Sequence, residues 1–156
     1  LLFTLRGIPQ LYYGTELWMK NFKDPNDGMV RLDFPGGFPN DEKDKRMVSG
    51  RDQTENTAFN YVKTLANFRK NNTALQTGKM MQWLPNDGLY VYFRYDQGST
   101  VMIILNTSNK TKSVLLSNYG ERTNGFKGFK DVVTGVLGVN KIDLAPMESR
   151  VVLLTK

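Results

Sequence analysis

The sequence predicts a short α/β segment followed by an antiparallel β-sandwich, and three patterns carry this prediction. Apolar side chains recur at intervals of three and four across residues 55–71, the spacing of an amphipathic helix. From residue 79 onward, apolar stretches alternate with turn signals roughly every 8–12 residues, as in a sandwich. The change between these two periods places a domain boundary near residue 76.

Composition excludes several classes of function. The chain has 156 residues and carries a net charge of +6, but its basic residues are dispersed and its densest charged run mixes both signs. This pattern argues against a nucleic-acid interface. The absence of both histidine and cysteine excludes a Ser-His-Asp triad, a cysteine nucleophile and the usual zinc sites within this chain. No apolar run approaches the ~18 residues of a membrane span.

The first sixteen residues are predicted to contain the end of a helix, a turn and a buried strand. Gly7 suits the left-handed position just past a helix end. Residues 8–13 then form an apolar run, in which Pro9 belongs near the strand start. Gly14 is expected to end this strand.

Residues 14–54 show no sustained period and are rich in turn chemistry, so we expect a long loop. A loop of this length in a compact domain is either functional or disordered. Side chains of the kind usually buried lie within it and favour an ordered, functional loop; they are Trp18, Phe22, Phe34 and Phe38.

The helix at residues 55–71 is predicted to bury Phe59, Val62, Leu65, Ala66 and Phe68, and Thr54 or Asn56 is expected to cap its start. Strands are then expected at residues 79–84, 89–95, 100–106, 111–116, 129–134, 139–144 and 149–154. Asp87-Gly88 between the first two strands is a strong hairpin signal.

Three segments add a resemblance to a known family. Residues 6–16, Arg-Gly-Ile-Pro-Gln-Leu-Tyr-Tyr-Gly-Thr-Glu, resemble the eighth-strand segment of the α-amylase family, glycoside hydrolase family 13. Residues 31–37, Arg-Leu-Asp-Phe-Pro-Gly-Gly, resemble the following loop in its neopullulanase and cyclomaltodextrinase-like members. Residues 142–154 are similar to the end of the family's C-terminal β-domain. The resemblance implies the last β-strand and helix of a (β/α)8 TIM barrel, residues 1–76, followed by an antiparallel Greek-key β-sandwich domain, residues 77–156.

The same resemblance implies a parent enzyme that hydrolyses α-glucosidic bonds with retention, using two carboxyl groups about 5–5.5 Å apart. In the family these carboxylates lie on earlier barrel strands, so this chain is expected to contain no catalytic residue and to be inactive alone. We expect no cofactor and no metal site in this chain; any calcium would bind elsewhere in the parent. The expected partners are an α-glucan and the rest of the catalytic barrel.

The loop that follows a barrel strand opens on the catalytic face. The resemblance therefore implies that Arg31, with Asp24 or Asp33, hydrogen-bonds glucose hydroxyls, and that Trp18 or Phe34 stacks on a sugar ring. An Arg31–Asp33 salt bridge that merely orders the loop is the structural alternative. For Glu16, a structural hydrogen bond or ion pair is favoured over a catalytic role.

Other interpretations stay open at this point. The β-domain could be a noncatalytic carbohydrate-binding module or a purely structural cap. Tyr90, Tyr92, Phe93 and Tyr95 could form a starch-binding platform, although the alternation of a strand sends them to both faces and favours core packing for at least one pair. The subgroup resemblance predicts a periplasmic or extracellular enzyme. The preferred glucan, among starch, pullulan and cyclodextrins, is not specified.

Overall fold

The computed structural model describes all residues from Leu1 to Lys156. It contains three α-helices, eight β-strands and four 3-10 turns. The helices are α1 (Gln53–Lys70), α2 (Thr73–Gln76) and α3 (Gly120–Thr123). The strands are β1 (Lys79–Gln82), β2 (Leu89–Tyr95), β3 (Thr100–Asn106), β4 (Lys112–Leu115), β5 (Gly128–Asp131), β6 (Leu137–Gly138), β7 (Lys141–Leu144) and β8 (Ser149–Thr155). The 3-10 turns are Thr15–Leu17, Asp27–Val30, Val48–Gly50 and Leu116–Tyr119.

The chain divides into two compact units. One, the β unit, combines Leu1–Pro9 with Thr64–Lys156, and the other, the loop unit, is Gln10–Lys63. The assignment of residues 1–76 to a barrel and 77–156 to an appended domain remains a prediction, because it concerns a longer protein.

The β unit confirms the predicted antiparallel β-sheet domain. Its large sheet has the order β1-β2-β3-β8-β5-β6, and β4 pairs with β7 in a second, two-stranded sheet. All pairings are antiparallel. The chain leaves the large sheet after β3, and β8 later inserts between β3 and β5. The predicted hairpin is present: Asp87 and Gly88 both adopt positive φ angles, 46° and 73°, which a two-residue type I′ turn requires.

Both faces of β2 are buried. Val91 and Phe93 point into one apolar cluster, which also contains Val114, Ile142 and Leu144 from the two-stranded sheet. Tyr92 points into a second cluster, shared with Leu65 of α1 and Leu75 of α2. Tyr90 and Tyr95 pack at the edges of these clusters. The aromatic side chains of β2 therefore serve the core, and they do not form a sugar platform on an open sheet face.

Two buried arginines fasten the first residues of the chain to the β unit. The Arg69 guanidinium donates to the carbonyls of Phe3 and Leu5, both at 3.1 Å, and of Gly7 at 2.6 Å. Arg94, with 1% of its surface exposed, donates to the carbonyl of Thr4 at 3.1 Å. Carbonyl groups at the end of a turn have no backbone N–H partner within that turn. The two guanidinium groups supply these hydrogen bonds instead. Gly7 has the expected left-handed conformation, with φ of 101°.

The strand predicted at residues 8–13 is wrong for this structure. These residues have no regular secondary structure, and Ile8 is 97% exposed. A strand forms only where a neighbouring strand pairs with its N–H and C=O groups, and no segment of the chain pairs with this one.

The loop unit is built from 3-10 turns and close backbone contacts. Gly36 has a φ of 105°, and a side chain there would overlap Asp44. Asp44 also excludes a side chain at Gly50, because a Cβ there would overlap the Asp44 carbonyl oxygen. Four aromatic residues of this unit are interpreted as buried from the sequence, and this interpretation is wrong for three of them. Trp18, Phe22 and Phe38 are 63%, 85% and 56% exposed, because this unit encloses little apolar volume beyond Leu17 and Ala58.

The predicted helix is confirmed as α1, but its cap is neither Thr54 nor Asn56. The Asp52 carboxylate accepts from the Glu55 N–H at 2.8 Å, and the Glu55 carboxylate accepts from the Asp52 N–H at 3.0 Å. This reciprocal pair is a capping box. Asn56 instead accepts from Arg51 Nε at 2.8 Å.

Candidate substrate-binding surface

The loop unit contains a cavity of about 290 Å³ that includes two of the predicted sugar-binding residues. Trp18 and Asp33 both line it, together with Met19, Lys20, Leu32, Pro35, Lys45 and Glu55. Trp18 is held at the end of a 3-10 turn with a left-handed backbone, φ 57°, and its N–H donates to the Thr15 carbonyl at 3.2 Å. The lining combines an exposed indole with two carboxylates, of Asp33 and Glu55, and two ammonium groups, of Lys20 and Lys45.

The charged wall of this cavity is an ion pair. Lys45 donates to the Glu55 carboxylate, and this hydrogen bond holds the pKa of Glu55 below its usual range. The Lys45 backbone is fixed as well, because its N–H donates to the Pro35 carbonyl at 3.1 Å. Its own carbonyl accepts from Arg51 at 2.9 Å, and the Arg51 guanidinium stacks 3.9 Å above the Phe59 ring. The wall is therefore rigid and anchored to α1.

The Pro35-Gly36-Gly37 turn is held by a carboxylate. Asp41 accepts from the backbone N–H groups of Gly36 at 2.6 Å and Phe38 at 3.0 Å. The hydrogen bonds from Phe38 and Gly36 lower the Asp41 pKa. The turn begins at Pro35, which itself lines the cavity and lies two residues after Asp33.

Arg31 and Asp24, the other two predicted sugar-binding residues, are exposed and lie outside the residues that line the cavity. No salt bridge joins Arg31 to Asp33, so the structural alternative for this pair is not formed. Tyr13 lies near the charged side chains of Arg31 and Asp33, and its hydroxyl donates to the Leu32 carbonyl at 2.8 Å. Hydrogen bonding with Tyr12 raises the Tyr13 pKa, with Asp33 adding to the effect.

The sequence prediction missed Lys45 and Glu55. Their pairing spans ten residues and follows no helical or strand period, so no local pattern announces it. The available signal was the Asp52-x-x-Glu55 spacing of a capping box, which fixes Glu55 at the helix start. Glu16 has no hydrogen bond or ion pair to another residue, contrary to the structural role expected for it.

No group of carboxylates is arranged to hold a metal ion. No helix has the length and apolar character needed to cross a membrane.

Comparison with known proteins links both units to one group of enzymes. Residues 80–153 match the family described as cyclo-malto-dextrinase C-terminal domain. The chain is 31% identical over 143 residues to a cyclomaltodextrin glucanotransferase of Thermoanaerobacterium thermosulfurigenes, covering 91% of this chain and 17% of that enzyme. It is 32% identical over 141 residues to an α-amylase of Niallia circulans, covering 89% of this chain and 22% of the enzyme. The chain belongs to the α-amylase family.

Two solved structures share the fold of this chain. An Anoxybacillus α-amylase superposes with a TM-score of 0.73 at 23% identity, covering 99% of this chain and 30% of that one. The protein AmyP, solved in complex with maltose, gives a TM-score of 0.70 at 21% identity, covering 97% of this chain and 32% of AmyP. This α-amylase-family chain thus spans about a third or less of the proteins it matches.

Proposed function

We propose that this chain is the C-terminal part of a retaining α-glucan hydrolase acting on α-1,4-glucosidic bonds, with α-1,6 bonds as a further linkage. Its substrates would be starch, pullulan or cyclodextrins. The observation that carries the proposal is relatedness over nearly the whole chain to enzymes named for α-glucan chemistry. The two catalytic carboxyl groups would come from the rest of the enzyme.

In this proposal the loop unit forms part of the wall around the substrate. The Trp18 indole offers an apolar face to a glucose ring, and the Asp33 carboxylate accepts from sugar hydroxyls. Arg31 and Asp24 contribute polar groups on the same exposed segment. Other exposed aromatic residues of this unit, Phe22 and Phe38, belong to the surface against which the remaining barrel packs.

A noncatalytic role for the β unit is the second candidate. It is favoured by the family match, which covers residues 80–153 and leaves out the loop unit. In this case the β unit stabilises the enzyme or holds carbohydrate without taking part in bond cleavage.

Activity assays separate these candidates. The 156-residue chain and the full gene product would each be incubated with soluble starch, pullulan and cyclodextrin, and new reducing ends would be measured. We expect reducing ends from the full product only. Cyclised or disproportionated products without new reducing ends would identify a transferase instead. Activity in the isolated chain would contradict the proposal and direct attention to Glu16, Asp24, Asp27 or Asp33.

Substitution of Trp18 tests the contribution of the loop unit. In the full gene product, Trp18→Ala is expected to raise KM for maltooligosaccharides about tenfold, since an apolar contact worth roughly 1–2 kcal/mol is lost. Tyr61→Ala is the matched control, because Tyr61 is an exposed aromatic residue on α1 that lies outside the cavity. Arg31→Ala is made in parallel. Unchanged kinetics in both Trp18→Ala and Arg31→Ala would refute the sugar-binding assignment.

A further inference from the structure

The segment between α3 and β5 contains the one Asn-Gly dipeptide of the chain, Asn124-Gly125. Asparagine is among the chemically labile residues. The backbone nitrogen of the following residue can attack its side-chain amide, and glycine favours this attack because it has no side chain to shield that nitrogen. Both residues are exposed. Whether they react therefore depends on how the fold holds the two groups.

Neither reacting group is held by a hydrogen bond. The Gly125 N–H has no acceptor, although the N–H groups on either side of it are paired. Asn124 donates to the Gly120 carbonyl at 3.1 Å, and Phe126 donates to the Thr123 carbonyl at 3.2 Å. The Asn124 side-chain amide makes no hydrogen bond and lies against Gly120, where a Cβ would be 3.3 Å from its Oδ1 and Nδ2 atoms. Both the nucleophile and the group it attacks are therefore free to move.

The backbone has room to reach the reacting geometry. Asn124 has a φ of −61° and a ψ of 134°, so the peptide unit that follows it must rotate before its nitrogen reaches the side-chain carbon. Gly125 has a left-handed φ of 87°, and nothing lies within 4 Å of the position that its Cβ would occupy. Because an unpacked glycine passes between backbone conformations at low cost, packing does not block this rotation.

The two Asp-Gly dipeptides of the chain, which could form the same ring, are protected by their surroundings. In Asp27-Gly28, the Gly28 N–H donates to the Asn26 side chain at 2.9 Å, and this bond holds the nucleophile. In Asp87-Gly88, a hydrogen bond from Lys112 lowers the pKa of the Asp87 carboxyl group. Since only a neutral carboxyl group is attacked readily, this ion pair keeps Asp87 in its unreactive form. The structure therefore singles out Asn124.

We propose that Asn124 is a site of spontaneous deamidation through a cyclic imide formed with Gly125. The Gly125 nitrogen forms a bond to Cγ of Asn124, the Cγ–Nδ2 bond breaks, and Nδ2 leaves as ammonia with the proton of the Gly125 amide. One water molecule then opens the ring. Cleavage between Cγ and the Gly125 nitrogen gives aspartate. Cleavage between the backbone carbonyl carbon and the same nitrogen gives isoaspartate, in which the main chain runs through the former side chain.

The isoaspartyl product would disturb the entry into β5. It adds one carbon atom to the main chain between Thr123 and Phe126, and the hydrogen bond between these two residues spans that point. Phe126 packs against the apolar cluster of the sandwich, and the Lys127 N–H donates to the Thr155 carbonyl at 2.8 Å. A longer main chain would shift these contacts, so we expect the isoaspartyl form to melt at a lower temperature.

Peptide mapping of the full gene product tests the proposal. Trypsin cleaves after Arg122 and Lys127, so residues 123–127 form one peptide. The folded protein is kept for days at mildly alkaline pH, where the Gly125 nitrogen loses its proton more readily, and is then digested. We expect this peptide to gain aspartyl and isoaspartyl forms, with the isoaspartyl form in excess. A sample digested without storage measures the deamidation that digestion itself causes.

Two variants separate the chemistry from its consequence. Asn124→Gln keeps an exposed amide but would have to close a larger ring, so it should retain both its amide and its melting temperature on storage. Asn124→Asp introduces the charge without lengthening the main chain, and when fresh it should melt with the fresh wild type. The stored wild-type protein should melt a few degrees lower than either.

Two results would overturn the inference. A synthetic peptide of residues 120–130 provides the reference rate without the fold. If this peptide deamidates while the full gene product keeps the amide of Asn124, the fold protects the site. More isoaspartate at Asp27 or Asp87 than at Asn124 would also contradict the inference, because these are the positions that their neighbours protect. None of these measurements depends on catalysis, so they stand apart from the proposed function.

Discussion

Single buried polar residues account for much of the organisation of the β unit. Arg94 has no carboxylate partner; burial lowers its pKa, and its Nε has no hydrogen-bond partner. Arg94 lies near Tyr92, whose hydroxyl is 2.6 Å from the Thr4 hydroxyl. A buried charge held only by carbonyls contributes little net stability, but removing it would leave those carbonyls unpaired. These side chains therefore specify where residues 1–7 dock.

Tyr92 gives a prediction about alkaline pH. Burial raises its pKa from 10.0 to about 12, so the folded state favours the neutral phenol. This stabilisation is complete below pH 10, where the unfolded chain is also protonated, and it is lost as pH rises from 10 to about 12. The loss amounts to about 2–3 kcal/mol. Denaturant unfolding of the wild type and of Tyr92→Phe across this range checks it. Equal pH dependence in the two proteins would contradict it.

At the scale of elements, helix α1 illustrates how local chemistry sets a boundary. The capping box satisfies N–H groups that have no partner inside the helix, and Glu55 also accepts from Lys45. One residue thus starts the helix and forms a wall of the cavity. Strands depend on partners instead: β2 and β3 pair along their whole length, whereas residues 8–13 have comparable apolar character and pair with nothing.

Replacement of the cap tests the helix boundary. Asp52→Ala is expected to destabilise the protein by about 1 kcal/mol, since the Glu55 N–H loses its acceptor. Thr54→Ala, an exposed position that makes no capping hydrogen bond, should change stability by less than ~0.5 kcal/mol. Unfolding in urea measures both. A larger effect at Thr54 than at Asp52 would show that the helix begins elsewhere.

At the scale of the whole molecule, apolar side chains on the surface are unevenly distributed. Large ones are concentrated in residues 8–38, including Ile8, Tyr12, Trp18 and Phe22. Soluble monomers rarely expose apolar groups in such density, and surfaces of this kind mark interaction sites. In the proposed function these side chains, apart from Trp18 at the sugar site, form the contact surface for the rest of the enzyme.

The isolated chain is therefore expected to self-associate. Light scattering after size exclusion should give an apparent mass that rises with concentration. Ile8→Ser combined with Phe22→Ser should reduce this rise, because these side chains are 97% and 85% exposed. Lys20→Ser combined with Lys23→Ser is the control at exposed polar positions. A monomeric wild-type chain that unfolds cooperatively would contradict the prediction.

The sequence by itself determined the antiparallel β domain and helix α1, because alternation, helical period and turn residues act over a few neighbours. The α-amylase family was indicated separately, by the resemblance of residues 6–16 and 31–37. Even the division of β2 into two faces follows from its period of two. Only the tertiary structure decided that both faces are covered, since that depends on α1 and the small sheet. It also decided which residues share the loop cavity: Trp18 and Asp33 meet the Lys45–Glu55 pair, while Asp24 and Arg31 do not. Contacts between residues far apart in the chain leave no periodic trace, and an apolar run becomes a strand only where another strand is present to bond it.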